Sequence, residues 1–451
     1  MKFSQFDRFA PYLKGAAVLI ALLTYWRFHS IEISGVYAYV AQGDVIRSVV
    51  GQGIVTARSI VWDFFGLVDR MITPHEITLL RWTGLLMVII DSYLASKLLD
   101  YILAQKFWGF LGMFLIALSP FAVVAAVSGS SAAAASALAL LFLMALYRNQ
   151  YVYAAMLSAV AVAANLPGLI MFLISVLDLL QNLQERKKLI SRLIYTTAGF
   201  SAVLALVYLY SLYSGNGRLF SIPVVESDLK WNMDGALALV AANILNIAGI
   251  AYVVVNRRYD VYKTHFHALM LWITTCAVCM AQPSTLNLLV ALTVSTILSM
   301  FFLQGFSSLW SVRLVSADTF VFVFVVIFLF SDLYSNNTFL KNTVLSDSYQ
   351  RSEAVSDVVR SVAASSPDTK VVSNFAPHEL SVKLGRTVYS VEGVAVPIGG
   401  FEFSGSSVVY VAKRTSKVGD TIGRCRLMLT TSYDEGDKNY FVQVVKCGDG
   451  K

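Results

Sequence analysis

The side chains that could do chemistry gather in one segment, between the first long apolar block and the second. It contains Glu32, Asp44, Arg47 and Arg58, and Arg81 follows shortly after it. A carboxylate can act as a general base where burial raises its pKa and a hydroxyl lies nearby. An arginine can bind a phosphate through two parallel hydrogen bonds, because the planar guanidinium matches the phosphate oxygens. The sequence therefore offers candidates for a base and for phosphate ligands in one neighbourhood.

Each candidate also has a plainer interpretation. Glu32 follows an apolar block and could be a solvated residue at a helix end. Any single basic residue at a membrane boundary more often reaches toward lipid headgroups than binds a substrate. Arg58 and Arg81 are preferred as phosphate ligands, the first because it lies in the long loop and the second because it lies near the start of an apolar block. The other phosphate-binding candidates are Arg47, Arg218 and Lys230.

Several other polar residues are more consistent with a structural role than with catalysis or ligand binding. Asp91 lies inside an apolar block near Lys97, which favours a structural ion pair or a protonated acid. His265 and His267 have no third metal ligand beside them and are interpreted as interfacial. Cys276 and Cys279 fit small core residues. No glycine-rich phosphate loop, His-x-x-x-His helix or nucleophile elbow is found.

The elements that must position these residues follow from composition. Of 451 residues, 57% are hydrophobic and 14% charged, against about 25% charged in soluble proteins. The apolar residues form blocks long enough to cross a bilayer, which takes roughly 20 residues. The predicted spans are approximately 12–28, 78–97, 107–127, 132–147, 151–165, 167–181, 193–213, 235–255, 267–281, 284–303 and 317–334. Pro167 predicts a break between two of them.

Charge in the short loops predicts the orientation. Alternate loops are basic, such as residues 97–106, 185–188 and 256–258, while the opposite connections are neutral or mixed. With these basic loops inside, the N-terminus is cytoplasmic, the first apolar run is a retained span, and an odd number of spans places the C-terminal end outside. The basic residues behind the net charge of +7 are thereby explained by the orientation in the membrane, and nucleic-acid binding is not expected.

Two domains are expected. Residues 1–334 form a transmembrane domain with a long first outward loop, residues 29–77, whose amphipathic helices lie at the interface. Residues 335–451 have ordinary charge density and form a small extracytoplasmic α/β domain. Its predicted elements are a helix at 353–364, a strand at 370–374, a helix at 378–384, and strands at 387–391, 407–413, 425–431 and 440–446.

The last two strands predict a hairpin and a disulfide. Its turn, residues 434–438, is centred on Gly436, and Cys425 and Cys447 each lie eleven residues away from that glycine. In a symmetric hairpin the two cysteines face each other within disulfide reach, and an outward location permits oxidation. The alternative is two free thiols.

This organisation resembles the polytopic GT-C glycosyltransferases, including the protein mannosyltransferase and aminoarabinose transferase relatives. Similar features are the long first outward loop, the many spans and the outer C-terminal domain. The mid-chain pattern also corresponds: a span ending at Pro120, a small turn at 128–131, an Ala/Leu-rich span at 132–146 and a basic turn at 147–149. The strand at 370–374 and the segment at 383–389 look like the outer domain of such enzymes.

The resemblance implies transfer of a sugar from a polyprenyl-phosphate carrier to a glycan, lipid or protein acceptor at the outer face of a bacterial inner membrane. It implies an acid of the first loop, Glu32 or Asp44, as base or metal ligand, and basic residues that hold the leaving phosphate. The sequence departs from the family at Ser34 and Gly35, where an Asp is usual. A divalent metal is therefore compatible with the sequence without being required. Two alternatives remain: a transporter or flippase for a lipid-linked glycan, and a GT-C scaffold without catalysis.

Overall fold

The computed structural model describes residues 8–29, 36–37, 40–41, 45–47, 60–73, 76–103, 106–164, 166–182, 186–213, 243, 246–251, 259–281, 285–309, 346–391, 407–417, 421–422, 425–435 and 438–447. The N-terminal part is helical: α1 Ala10–Arg27, α2 Ile60–Ile72, α3 Thr78–Leu103, α4 Lys106–Ala117, α5 Pro120–Ser128, α6 Ala132–Tyr147, α7 Tyr151–Ala163, α8 Gly168–Asn182, α9 Arg186–Tyr213, α10 Tyr259–Ala281 and α11 Thr285–Leu309. The C-terminal part adds α12 Ser346–Ala363 and α13 Pro377–Leu384. The strands are β1 Val45–Arg47, β2 Lys370–Ser373, β3 Val388–Ser390, β4 Val408–Arg414, β5 Thr421–Ile422, β6 Cys425–Glu435 and β7 Lys438–Cys447.

Most predicted spans within the described residues correspond to apolar helices. By length and composition, Lys188–Tyr210 qualifies alone as a membrane span, and the bent pair α4 and α5 would count as a second. The apolar stretches of α6, α7, α8, α10 and α11 are shorter. The prediction of eleven spans stays a prediction: most of 235–255, all of 317–334 and the segment 214–234 lie outside the described residues.

Two prolines separate helices. The predicted break at Pro167 is confirmed, since α7 ends at Ala163 and α8 begins at Gly168. The predicted single span 107–127 is instead α4 and α5, bent by 60°. Ser119 caps α5 by accepting a hydrogen bond from the amide of Ala122 at 3.2 Å, and Pro120 occupies the first helical position. Proline is favoured there because its missing N–H would have no partner in a first turn.

The helical bundle packs around α3, which contacts α2, α4, α5, α6 and α11. Its buried face carries Leu80, Val88, Leu98 and Leu99, and Trp108 of α4 is also fully buried. This buried face is mostly apolar and also contains polar residues, among them Ser92 and Ser96. Because five helices pack against it, α3 forms the centre of the bundle.

Asp91 lies in the middle of α3 and is completely buried. Neither carboxylate oxygen makes a hydrogen bond of normal geometry, although the Ser136 side chain is close. That serine hydroxyl is 2.9 Å from Thr293 Oγ1. Lys97 instead places its ammonium over the Tyr93 ring, 5.3 Å from the centroid. Of the two expectations for Asp91, the ion pair with Lys97 is therefore not formed.

The two histidines of α10 make contacts inside the helical bundle. His267 is 4% exposed, and its Nδ1 is 3.2 Å from Oδ1 of the buried Asp178 in α8. The hydroxyl of Tyr147 lies 2.7 Å from His265 Nδ1, and the Tyr147 ring meets His267 edge-on. A buried carboxylate needs a partner inside a bundle. His267 thus joins α10 to α8, and its interfacial position stays a prediction.

The C-terminal part contains a seven-stranded mixed sheet with the order β1-β3-β2-β4-β7-β6-β5. Strands β1, β3, β2 and β4 run parallel, and β7 is antiparallel to both β4 and β6. Helix α12 covers β6 and β7, and its Val355 and Val358 pack with Val409 and Val444 of the sheet. The helices and strands predicted after residue 350 are confirmed to within four residues at their ends, except that α12 begins at Ser346, seven residues before the predicted start. Strand β5 was not predicted.

Strands β6 and β7 form the predicted hairpin. Cys425 stands directly opposite Cys447, with the two Cα atoms 4.2 Å apart and the sulfur atoms bonded as a disulfide. The free cysteines among the described residues are Cys276 and Cys279, and Cys279 is buried in the bundle core.

Strand β1 comes from the first loop, far from the rest of the sheet in sequence. Val45, Ile46 and Arg47 pair in parallel with Val388, Tyr389 and Ser390. The strand is added at the free edge of β3 and satisfies backbone groups that an edge strand leaves open. The first loop and the C-terminal part are therefore joined in one sheet.

Candidate functional site

The candidate site lies where α2 ends and α3 begins. Asp69 of α2 is fully buried, and its carboxylate accepts hydrogen bonds from the amides of Leu79 at 2.9 Å and Leu80 at 3.1 Å. The Thr73 hydroxyl donates a third bond at 2.5 Å. A carboxylate at a helix N-terminus is stabilised by the free amides and by the helix dipole. Asp69 thereby fixes the direction in which α3 leaves the first loop.

The turn between α5 and α6, residues 128–131, packs against the same first turn of α3. Gly129 has φ of +77°, and a Cβ there would lie 2.7 Å from the Leu80 carbonyl carbon and 2.8 Å from the Arg81 amide nitrogen. On the other side of the contact, a Cβ on Gly84 would lie 2.8 Å from the Ala125 oxygen. Glycine is thus required at both positions, because the backbones of α3 and of the segment around the turn are in direct contact.

The first loop contacts this junction through Trp62. Its ring is fully buried, and Nε1 donates to the carbonyl of Gly129 at 2.8 Å. The opposite part of α2 presents Leu67, Met71 and Ile72 as exposed apolar side chains. This is the amphipathic helix expected in the first loop, with one side against the bundle and the other suited to lipid.

Arg81 is the predicted phosphate ligand that the structure places at this junction. It lies in the first turn of α3, half-buried, with its amide bonded to the carbonyl of Ile77 at 3.0 Å. The amides of Leu79 and Leu80 are already used by Asp69. A phosphate here would consequently be bound by the guanidinium of Arg81, since those two amides are not available to it.

The turn at 128–131 supplies hydroxyls and no acid. Ser128, Ser130 and Ser131 are buried. Ser128 Oγ donates to the Val124 carbonyl at 2.6 Å, and Ser130 Oγ accepts from the Ala132 amide at 3.2 Å. These hydrogen bonds stabilise the conformation of the turn, so the serines have a structural role there.

A second contact joins the first loop to the C-terminal part. Val36, Tyr37, Val40 and Ala41 are buried in the same core as the bundle helices, and Val382 of α13 belongs to that core too. The chain makes a helical turn there, with the Ala41 amide bonded to the Tyr37 carbonyl at 2.9 Å. The first loop is therefore contacted from both sides, by the bundle and by the C-terminal part.

The remaining predicted site residues are not brought together by the described structure. Arg47 contributes its backbone to β1 beside Ser390, and its side chain is not described. The others lie outside the described residues: Glu32, Asp44, Arg58, Arg218 and Lys230. Within the described part of the chain, no group of three or more His, Cys, Asp or Glu side chains is arranged to hold a metal ion.

Sequence reasoning missed two residues of this region. Asp69 was not among the candidates, although Thr73 four residues later and the start of an apolar block at Thr78 were signals of a helix cap. Trp62 had no signal beyond its size. Both depend on the close approach of α2, α3 and the 128–131 turn, which a linear pattern does not contain.

The fold matches that of ArnT, an aminoarabinose transferase of GT-C type. A crystal structure of ArnT from Cupriavidus metallidurans in the apo state matches with a TM-score of 0.53 and 13% identity, covering 95% of this chain and 97% of that one. The crystal structure of the same protein bound to undecaprenyl phosphate gives 0.56 and 12%, with the same coverage. No protein-family model and no curated protein matches the sequence.

These likenesses confirm the expected GT-C-like glycosyltransferase fold. They extend over nearly the whole of both chains, so they include the C-terminal sheet as well as the helical bundle. The protein accordingly has the fold of ArnT, a helical bundle with a C-terminal sheet.

Proposed function

We propose that this protein is a membrane glycosyltransferase that moves a sugar from a polyprenyl-phosphate donor to an acceptor on the outer face of a bacterial inner membrane. The observation that carries the proposal is the fold, shared over 95% of the chain with a transferase that has been crystallised with undecaprenyl phosphate. The acceptor would be a glycan, a lipid or a protein. The N-terminus would be cytoplasmic and residues 335–451 extracytoplasmic.

The proposed reaction is a displacement at the anomeric carbon. An acceptor hydroxyl oxygen forms the new bond, a carboxylate removes its proton, and the bond to the donor phosphate breaks with its electron pair leaving on the phosphate. Glu32 or Asp44 would be the base. Negative charge builds up on the departing phosphate, and a guanidinium placed beside it stabilises the transition state more than the ground state.

Arg81 is the leading candidate for that guanidinium. It is half-buried at the junction of α2, α3 and the 128–131 turn, where water is partly excluded and its charge acts more strongly. Its backbone is fixed by the contact with Gly129. Arg58, Arg47, Arg218 and Lys230 complete the proposed phosphate-binding set.

The test uses purified protein, a radiolabelled polyprenyl-phosphate sugar and a crude envelope fraction as acceptor. Loss of one charge-assisted phosphate contact costs about 1.5–3 kcal/mol, so Arg81→Ala should lower kcat/KM for the donor roughly 10- to 100-fold, through a higher donor KM and a lower kcat. Arg81→Lys should recover part of the loss, because a lysine keeps the positive charge but cannot donate two parallel hydrogen bonds to the phosphate. Glu32→Gln and Asp44→Asn would identify the base, and Arg58→Ala the second ligand.

Arg148 supplies a matched control. It follows the opposite end of α6, away from the 128–131 turn, and stacks on the ring of Tyr101 at 5.7 Å. Arg148→Ala removes a basic side chain of the same kind and should leave the donor KM unchanged. A wild-type protein that transfers no sugar from any donor tested would refute the enzyme proposal.

A second candidate, a GT-C scaffold that binds lipid phosphate without catalysis, is favoured by one observation. Asp69, the fully buried acid at the junction, is engaged in capping α3. Binding of undecaprenyl phosphate without transfer would support this candidate. Transport of a lipid-linked glycan between the leaflets of a vesicle, again without transfer, would support the flippase alternative.

A further inference from the structure

Helix α13 of the C-terminal part touches the first loop with a charged side chain. The ammonium of Lys383 lies over the ring of Tyr37, 5.6 Å from its centroid. Tyr37 is 3% exposed, and the adjacent Val382 is buried in the bundle core. A cation over a partly desolvated aromatic face is attracted by the ring quadrupole. The contact is therefore specific in position, unlike simple apolar packing.

Lys383 is itself held in place. Its Nζ is 2.9 Å from Oε1 of Glu379, one turn earlier on α13, and Arg351 of α12 bonds the other oxygen of Glu379 at 3.1 Å. Glu379 is 1% exposed. A buried carboxylate between two cations restricts both of their side chains. The direction of Lys383 toward Tyr37 is thus fixed by the C-terminal part alone.

A second contact holds the same loop a few residues further on. Strand β1 pairs with β3 from Val45 to Arg47, and β3 follows α13 directly in the chain. One helix and the next strand of the C-terminal part therefore hold the first loop at Tyr37 and again at Val45. Asp44 is the chain neighbour of Val45, and Glu32 precedes Tyr37 by five residues.

We propose that Lys383 is a positioning residue, which acts through Tyr37 and together with the β1–β3 pairing to hold the first loop at residues 36–37 and 45–47, and thereby restricts the acid of that loop. This inference rests on the proposed transferase function. The C-terminal part is then a component of the active site without itself supplying the base. A misplacement of about 1 Å far from the reacting atoms can cost roughly 100-fold in rate.

The kinetic signature follows from where the contact lies. Arg81 is on α3 and is held by α2 and the 128–131 turn, not by α13. Loss of the Lys383 contact should consequently lower kcat by about tenfold or more while the donor KM stays within about twofold of the wild type. Because a loss of folding would also lower the apparent kcat at an unchanged KM, the rate of each variant is divided by the concentration of folded protein, measured by size-exclusion chromatography.

The experiment compares Lys383→Met with Lys383→Arg in the full-length protein. Methionine keeps the apolar chain and removes the charge, whereas arginine keeps both the contact with the ring and the pair with Glu379. Lys413→Met is the matched control, because the Lys413 ammonium lies over the Tyr440 ring at 4.1 Å within the sheet. Sugar transfer and hydrogen–deuterium exchange of the peptide covering residues 36–47 are measured for each variant.

We expect Lys383→Met to lower kcat and to raise exchange in residues 36–47, Lys383→Arg to resemble the wild type, and Lys413→Met to change neither. Unchanged kcat or unchanged exchange in Lys383→Met would overturn the inference. If Lys383→Met cannot be purified folded, Tyr37→Leu removes the same contact from the other side and must give the same two changes. If the wild type transfers no sugar, the proposed function fails, and the exchange data still decide whether Lys383 fixes the loop.

Discussion

Replacing Gly129 by alanine tests the packing that positions Arg81. The residue has φ of +77°, a conformation that costs an ordinary L-residue about 1–2 kcal/mol. The new Cβ would also lie 2.7–2.9 Å from three backbone atoms of Leu80 and Arg81, and backbone cannot rotate away as a side chain can. Overpacking of this kind costs about 1–3 kcal/mol. Together these give a loss of about 2–5 kcal/mol in the free energy of unfolding.

The assay is thermal unfolding of the purified protein in detergent, where a loss of that size should lower the midpoint by on the order of 5–10 °C. Gly15→Ala is the matched control, since no atom lies within 4 Å of the Cβ it would add. Alanine also favours a helix over glycine by about 1 kcal/mol, so the control should melt at the wild-type temperature or slightly above it.

The two variants together separate a local packing effect from a general glycine effect. If Gly129→Ala melts with the wild type, the 128–131 turn is not in contact with the first turn of α3. The placement of Arg81 beside that turn would then be wrong. If Gly15→Ala melts as low as Gly129→Ala, the loss comes from adding methyl groups to this bundle in general, and the argument from backbone contact fails.

Further predictions follow from other buried contacts. Asp69→Ala should lower the free energy of unfolding by about 2–4 kcal/mol, because two helix amides and a hydroxyl lose their acceptor; a stable Asp69→Asn without transfer activity would instead assign the acid to the chemistry. Cys425→Ser with Cys447→Ser reopens a loop of 22 residues and should destabilise the C-terminal sheet by about 3 kcal/mol, measured by proteolysis with and without reductant; equal resistance would refute it. Asp178→Asn should destabilise more than the double variant Asp178→Asn with His267→Gln, since breaking one half of a buried pair costs about 3–5 kcal/mol; a greater loss in the double variant, in thermal unfolding, would contradict this.

The sequence predicted best what depends on neighbouring residues. The β6–β7 hairpin follows from a turn around Gly436 and from alternating strands on either side, and its register is local. The break before Gly168 follows from one proline. The boundary between α4 and α5 could also have been predicted, because Ser119 and Pro120 are typical of the start of a helix. The continuous apolar run favoured a single span instead.

The contacts between distant segments could not be predicted in this way. Strand β1 has only three residues, and its partner lies at Val388. Three apolar or basic residues in a long loop have no pattern that distinguishes a strand. Asp69 is similar, since its acceptor role exists only once α2 and α3 have met. The residues that define the junction were therefore visible individually, whereas their grouping required the fold.

The pairing of β1 with β3 also has a consequence for the order in which the protein is made. Roughly 340 residues separate Val45 from Val388, and a ribosome adding about 5–20 residues per second needs about 20–70 s to cross that distance. During that interval the first loop has been synthesised while its partner strand has not. The β1–β3 pairing can form only after the bundle helices and β3 itself have been synthesised. A chain that stops before β3 would accordingly carry residues 45–47 without the strand that pairs with them, so this contact between the first loop and the C-terminal part forms late in synthesis.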